Sequence, residues 1–197
     1  TLLFLEVGLL FLFLLTSGSL IPLEYLPPFL KSIIIIITPY FSALALMKKL
    51  IIFQLGFSAL LDQAKEIVGH MMKNDAFSQW LGIAVISNAP GEAVLKMTVR
   101  DEMTNGFHIA HGGISYALAD SALAFAANGG GRQSLSIETS IHHLQAVRAG
   151  DELTAAATLL SETHKTGLYQ IDITNSTGER VAWFKGTVYR TSKEWNL

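Results

Sequence analysis

Residues 114–128 constrain the fold of this chain most strongly, because they are apolar on almost every side of a predicted helix. The segment follows His111-Gly112-Gly113, and three glycines at 129–131 stop it. A helix that is apolar all round is buried in a folded protein. The rest of the fold must therefore enclose one central helix.

The sequence around this helix alternates between apolar and polar residues with a period of two, which indicates β-strands separated by turns. The predicted strands are 81–87, 93–99, 135–144, 153–162, 168–174 and 181–189. Short connections of this kind suit an antiparallel meander. The predicted fold class is therefore α+β, with one long buried central helix wrapped by an antiparallel sheet of about six strands.

Residues 1–53 have a different character, since they are almost wholly apolar. Two apolar runs, 2–15 and 32–47, are each shorter than the roughly 20 residues of a spanning helix. Met47 and two lysines then precede another apolar stretch, as at the start of a signal or anchor. Residues 1–53 are thus interpreted as either a membrane segment or translated upstream sequence, with no part in the chemistry.

The remaining boundaries predict an amphipathic lead-in helix at 54–80, the main domain at 81–191 and a tail at 192–197. The chain has no cysteine, which excludes disulfides and thiolate nucleophiles and fits a reducing compartment. We therefore expect a cytoplasmic protein, with membrane tethering through residues 1–53 as the alternative. A net charge of −2 gives no reason to expect a nucleic-acid partner.

Asp120 is the one Asp, Glu, Lys or Arg residue between positions 106 and 131. A carboxylate on a buried helix loses solvation, so it must be paired or have its pKa raised. A raised pKa suits a general base that works near neutral pH. The alternative is an exposed stripe on which Asp120 faces water.

His111, Gly112 and Gly113 lie at the start of the same helix. Glycines allow a close approach to a ligand, and unpaired N–H groups at a helix start favour negative charge. A carbonyl under attack becomes an oxyanion, so this segment is a candidate oxyanion hole. The alternative is a plain turn before a helix.

Gly112 and Asp120 are eight residues apart, which corresponds to roughly 12 Å along a helix. One carbonyl carbon cannot easily contact both residues of the same chain. If both residues act, two copies must meet with antiparallel helices, so the sequence predicts a two-fold homodimer.

The spacing Asn105, five residues, His111-Gly112-Gly113, then Leu118-Ala119-Asp120 and Asn128 resembles the PaaI-type branch of hotdog-fold acyl-CoA thioesterases. The resemblance covers residues 72–190. It implies a helix wrapped by an antiparallel sheet, dimers that commonly pair into tetramers, and hydrolysis of acyl-CoA thioesters, including aryl or phenylacetyl types. CoA is then part of the substrate, and no separate cofactor or metal is expected.

The resemblance also implies roles for individual residues. Asp120 activates water or attacks the thioester, while the N–H of Gly112, together with that of Gly113, polarises the carbonyl. Asn105 helps to hold that carbonyl or the water, and His111 lies beside the thioester.

Further along the chain, Ser136 aligns with a family serine that orients water. Lys165, Thr166 and Arg148 are candidates for contacts with the CoA phosphates, although an exposed lysine in a turn is often only solvated. His142 and His143 are adjacent, so on a strand they point to opposite faces and cannot form a metal pair.

Two other functions remain open. A hotdog hydratase or dehydratase carries a histidine five residues after the aspartate, and here that position is Phe125. A non-catalytic acyl-CoA binding module has no need of a lone buried carboxylate. Both alternatives are less favoured than hydrolysis.

Overall fold

The computed structural model describes the backbone of residues 28–197 and the side chains from residue 43 onward. The predictions for residues 1–27 lie outside the described residues. The chain divides into two compact units, Thr1–Gln54 and Leu55–Leu197. The second unit contains the sheet and the central helix.

Helix α1 spans Pro28–Asn74, and helix α2 spans Ala76–Leu81. The predicted lead-in region 54–80 therefore contains the end of one helix and a second short helix, which are separated at Asp75. Its carboxylate accepts a hydrogen bond of 2.9 Å from the backbone N–H of Ser78 and so begins a new helix. Gly82, with φ of 74°, ends α2 in the left-handed conformation that glycine adopts most easily.

One described helical stretch, Ala43–Asn74, is long and apolar enough by composition to cross a membrane. Its first half exposes large apolar side chains. They include Leu46, Leu50, Ile52, Phe53 and Leu55, which are 57–71% exposed.

The six strands form one antiparallel sheet in the order β1-β2-β4-β5-β6-β3. They are β1 (Ala84–Ala89), β2 (Glu92–Thr98), β3 (Arg132–His143), β4 (Glu152–Glu162), β5 (Thr166–Thr174) and β6 (Arg180–Glu194). Strands β1 and β3 are the edges of this sheet. The predicted strand number and antiparallel pairing are thus confirmed.

Helix α3, Gly112–Asn128, packs on one face of the sheet and is buried along most of its length. Apolar side chains that alternate with polar ones along the strands form the other half of the core. Leu95, Ala155, Ile171 and Phe184 are each fully buried. Gly186 on β6 allows this close packing, because a Cβ there would collide with the side chain of Leu123.

The sheet extends further than the sequence pattern indicates. Strand β6 runs to Glu194, so residues 192–194 pair within the sheet instead of forming a tail. The next residue, Trp195, donates its backbone N–H to the carbonyl of Gly131 at 2.8 Å. The C-terminal end of the chain is therefore part of the domain that carries the site.

Candidate active site

Asp120 lies in the middle of α3 with its side chain half-buried. Among the described residues, its carboxylate has no hydrogen-bond or ion-pair partner. Burial in this apolar surrounding raises the pKa of Asp120 above the ordinary value of an aspartate. A half-buried, unpaired carboxylate of this kind is available to accept a proton from a bound water.

Asp120 lines a cavity of about 400 Å³ between α3, the start of β3 and the end of β6. The walls are mainly apolar, and Ser136 lines the same cavity. The structure thus brings the predicted pair Asp120 and Ser136 together. The other lining residues are Met71, Leu123, Ala124, Asn128, Gln133, Ser134, Leu135, Val188, Thr191 and Trp195.

Asn128 holds one end of this cavity in place. Its side-chain nitrogen donates to the carbonyls of Ala124 and Ser134, at 2.9 and 3.0 Å. Its side-chain oxygen accepts hydrogen bonds from the backbone N–H of Ser134 at 3.0 Å and from Nε1 of Trp195 at 2.9 Å. Asn128 therefore joins the end of α3, the start of β3 and the C-terminal tryptophan.

His111 caps the other end of α3. Its Nδ1 accepts a hydrogen bond of 3.0 Å from the backbone N–H of Gly113. This N–H is already engaged, so it is not available to a ligand while the cap is in place. The N–H of Gly112 has no such acceptor among the described residues, which leaves it as the free donor at the helix start.

His143, at the end of β3, lies against Gly112. A Cβ at Gly112 would meet Nε2 of His143 at 3.0 Å. The glycine therefore leaves room for a close approach at this point. His142 is placed differently, since its ring contacts that of Trp183 at a centroid distance of 5.4 Å.

Asn105 organises the loop before α3. Its side-chain oxygen accepts from the N–H of Phe107 at 2.9 Å, and its backbone N–H donates to the carbonyl of Ile109 at 2.8 Å. Its side-chain nitrogen has no acceptor in the part of the chain that the structure describes. The loop meets the start of α3, where the N–H of His111 donates to the carbonyl of Met103 at 2.8 Å.

The predicted site residues thus fall into two groups within one chain. Asp120 and Ser136 share the cavity, whereas Asn105, His111 and Gly112 lie at the N-terminal end of α3 and do not line it. The helix between Gly112 and Asp120 is continuous, so the separation of roughly 12 Å along the helix axis holds. A single chain does not bring both groups to one reacting carbon.

The residues predicted to contact the CoA phosphates also lie at two separate places in the fold. Arg148 precedes β4, and Lys165 follows it, so the 11-residue strand lies between them. Such a strand is roughly 35 Å long. Arg148 and Lys165 of one chain therefore cannot contact the same phosphate, although Thr166 can act with Lys165.

The hydratase or dehydratase alternative finds no support at the fifth position after Asp120, where those enzymes carry a histidine. Phe125 is 1% exposed and belongs to the core. No histidine lines the cavity around Asp120. Within residues 43–197, no group of three or more His, Asp or Glu residues is placed to hold a metal.

The sequence pattern does not single out several of the residues near the site. Met71, Thr191 and Trp195 line the cavity around Asp120, and His143 lies against Gly112. The pairing of β3 with β6 brings most of them into place, and local periodicity does not reveal that pairing. One available signal is Trp195 itself, a large aromatic residue in an otherwise polar terminal stretch.

Comparisons with known proteins agree with this fold. The family model of the thioesterase superfamily matches residues 107–182. The acyl-coenzyme A thioesterase PaaI of Escherichia coli is 41% identical over 120 residues, which cover 61% of this chain and 86% of that protein. A putative esterase of Archaeoglobus fulgidus is 34% identical over 138 residues, which cover 70% of this chain and 88% of that protein.

The solved structure of the E. coli PaaI protein superimposes with a TM-score of 0.67 at 38% identity. The alignment covers 68% of this chain and 98% of that structure. The predicted family and the predicted hotdog fold are both confirmed. The chain therefore belongs to the thioesterase superfamily and, within it, to the PaaI-type hotdog thioesterases.

Proposed function

We propose that this enzyme hydrolyses acyl-CoA thioesters to the free acid and CoA. The observation that carries the proposal is the unpaired, half-buried Asp120 carboxylate beside a mainly apolar cavity that Ser136 also lines. The matching relative from E. coli is named an acyl-coenzyme A thioesterase, which supports the same thioester class here.

Asp120 serves as the base or the nucleophile of the reaction. As a base, it takes a proton from water while the water oxygen bonds to the thioester carbon. The carbonyl oxygen then carries negative charge until the C–S bond breaks and the CoA sulfur leaves, taking the proton that Asp120 had accepted from the water. As a nucleophile, the carboxylate bonds to the same carbon, the C–S bond breaks and CoA leaves as its thiolate, and water then hydrolyses the resulting mixed anhydride to the free acid and the Asp120 carboxylate.

The N–H of Gly112 stabilises the negative oxygen in this proposal. It points from a helix start, and it remains free of the cap that engages Gly113. A positioned donor of this kind is worth about a hundredfold or more in rate. The free side-chain nitrogen of Asn105 and the ring of His111 lie at the same end of the helix and assist in holding the substrate.

The active unit is a two-fold homodimer in which Asp120 of one subunit faces Gly112 of the other. The separation of Gly112 and Asp120 along one helix supports this arrangement, because the two residues of a single chain are too far apart to contact the same thioester carbon. The edge strand β3 is the natural contact surface, since Leu135 and Ile137 on it are 65% and 61% exposed. Pairing of such dimers into tetramers follows the family pattern.

The hydrolase proposal is tested by replacing Asp120. The full chain is assayed for thiol release from a panel of acyl- and aryl-CoAs, beside Asp120→Asn and the control Asp62→Asn. This control is the same substitution at an exposed position of α1. We expect Asp120→Asn to lose at least about a hundredfold in kcat/KM, or about 2.7 kcal/mol, and Asp62→Asn to match the wild type.

Other outcomes identify the rival functions. Hydrolysis by Asp120→Asn at the wild-type rate overturns the mechanism. Binding of CoA esters without thiol release by either protein favours the binding module. Addition of water to an unsaturated acyl-CoA, with the thioester intact, favours the hydratase.

The two-subunit site has its own test. Asp120→Asn and Gly112→Pro chains are co-expressed with different affinity tags, and the mixed dimer is purified through both tags. One of its two sites then combines an intact Asp120 with an intact Gly112, so we expect about half of the wild-type activity. A mixed dimer as inactive as either parent shows that each site lies within one chain.

A further inference from the structure

His143 is the last residue of β3, and its side chain lies on the face of the sheet that α3 covers. It pairs with Ala182 of β6, which is fully buried, and directly opposite residues of an antiparallel pair share a face. The neighbouring His142 points to the other face, where its ring contacts that of Trp183. Strand alternation therefore directs His143, and not His142, towards the start of α3.

The tip of the His143 ring lies beside the backbone N–H of Gly112. A Cβ on Gly112 would be 3.0 Å from Nε2 of His143, nearer than the ring carbons at 3.5 and 3.7 Å. Gly112 is the first residue of α3, and a helical φ of about −63° turns the Cβ position to the same side as the N–H. Since a backbone nitrogen and the Cβ position of its residue are about 2.5 Å apart, Nε2 lies within about 5.5 Å of the Gly112 nitrogen.

Two donors at this separation can hold one oxygen atom. A hydrogen bond from nitrogen to oxygen is about 2.9 Å long, so one oxygen can accept from two nitrogens that are up to about 5.8 Å apart. Among the described residues, the N–H of Gly112 has no acceptor and neither ring nitrogen of His143 has a hydrogen-bond partner. The side chain of His143 is also exposed in the single chain, so a ligand can reach it.

We propose that His143 is a catalytic residue whose Nε2–H is the second donor of the oxyanion hole, beside the N–H of Gly112. This inference rests on the proposed thioesterase function, because it adds a donor to the same site. A neutral ring with its proton on Nε2 donates to the thioester oxygen as negative charge develops there. The proton stays on Nε2 throughout. Both donors belong to one subunit, and Asp120 of the other subunit acts on the same thioester.

The test replaces His143 by Phe and by Gln, and measures kcat, KM and the melting temperature of the full chain with acyl-CoA substrates. Phenylalanine keeps a flat ring but has no N–H, whereas the side-chain amide of glutamine supplies a donor at a similar reach to Nε2. His142→Phe is the matched control, since it makes the same substitution at the adjacent position on the opposite face of β3.

We expect His143→Phe to lower kcat by at least about tenfold and to change KM by less than about twofold, because the lost hydrogen bond strengthens only in the transition state. His143→Gln recovers most of this loss, and His142→Phe matches the wild type. A wild-type kcat in His143→Phe, or equal losses in the Phe and Gln variants, overturns the inference and leaves the hydrolase intact. A wild type that releases no thiol from any acyl-CoA instead overturns the proposed function.

A mixed dimer tests whether His143 acts on the same side of the site as Gly112. His143→Phe and Asp120→Asn chains are co-expressed with different tags and purified through both. One of the two sites then has both intact donors and an intact Asp120, so we expect about half of the wild-type activity. If the Gly112→Pro and Asp120→Asn mixed dimer is half-active and this one is as inactive as its parents, His143 does not share the oxyanion hole with Gly112.

Discussion

The backbone N–H of Gly113 donates a hydrogen bond of 3.0 Å to Nδ1 of His111, while the N–H of the preceding Gly112 remains free among the described residues. The neutral His111 ring consequently carries its proton on Nε2. Two adjacent glycines therefore have different roles, since one completes the helix cap and the other faces the substrate in our proposal. A substitution that removes only the N–H of Gly112 therefore tests the oxyanion role without removing the N–H that completes the helix cap.

Gly112→Pro removes the free N–H without breaking the helix. Proline is favoured at the first helical position, and His111 has the extended ψ of 136° that a residue before proline requires. We expect Gly112→Pro to lower kcat by about a hundredfold or more in the thiol-release assay, as for other losses of an oxyanion donor.

Gly112→Ala is the matched control for this prediction. Both substitutions place a Cβ 3.0 Å from Nε2 of His143, but alanine keeps the N–H. We expect the alanine variant to retain most of the activity that the proline variant loses. Equal losses in the two variants would assign the effect to crowding against His143 and contradict an oxyanion role for Gly112.

Asp120 gives the enzyme a predictable pH dependence. Because burial raises the pKa of Asp120, the base is lost at a higher pH than for an ordinary aspartate. We expect kcat/KM to fall as the pH decreases through this raised pKa, with an acid limb above the ordinary titration range of aspartate near 3.8. An acid limb at or below that ordinary value would contradict the assignment.

The same shift in pKa affects stability with a definite sign. Since the folded state binds the proton of Asp120 more tightly than the unfolded state, stability falls as pH rises from the unfolded pKa through the folded pKa. At neutral pH we therefore expect Asp120→Asn to melt at a higher temperature than the wild type, and the difference to shrink in acid. Asp62→Asn is the control, and thermal unfolding at several pH values is the measurement.

Local patterns in the sequence predict the central helix, the strands and Asp120, because each is a matter of periodicity or of one charge among apolar neighbours. The place of Trp195 in the site is not predicted from local patterns, because its hydrogen-bond partner Asn128 lies 67 residues earlier in the chain. What the sequence does not reveal is therefore the long-range assembly of groups that are individually recognisable.

Lys165 and Arg148 lead to a prediction about the CoA phosphates. Nζ of Lys165 lies 5.7 Å above the ring of Tyr189, and the side chain of Arg148 is exposed. We expect Lys165→Met and Arg148→Met each to raise KM for an acyl-CoA by about fivefold, the size of one exposed ionic contact. The corresponding N-acetylcysteamine thioester has no phosphate, so its KM should not change. An equal rise with both substrates would contradict a phosphate contact.

Residues 1–53 are expected to be dispensable for catalysis. Among residues 43–70, whose side chains the structure describes, none lines the cavity around Asp120, and Ala64, Ile67 and Val68 of α1 are at most 2% exposed. We predict that a chain lacking residues 1–53 keeps kcat/KM within about twofold of the full chain. Vesicle flotation of both proteins tests the membrane-tethered alternative, in which only the full chain floats with the lipid.

A longer deletion provides the contrast. Removing residues 1–74 uncovers the surface beneath Ala64, Ile67 and Val68 and takes away Met71 from the cavity wall. Each large buried apolar side chain contributes about 1.5–3 kcal/mol, so we expect a lower melting temperature and a lower kcat/KM in the thiol-release assay. If the longer deletion instead behaves like the shorter one, the end of α1 does not support the site, and the cavity is completed by the sheet and α3 without it.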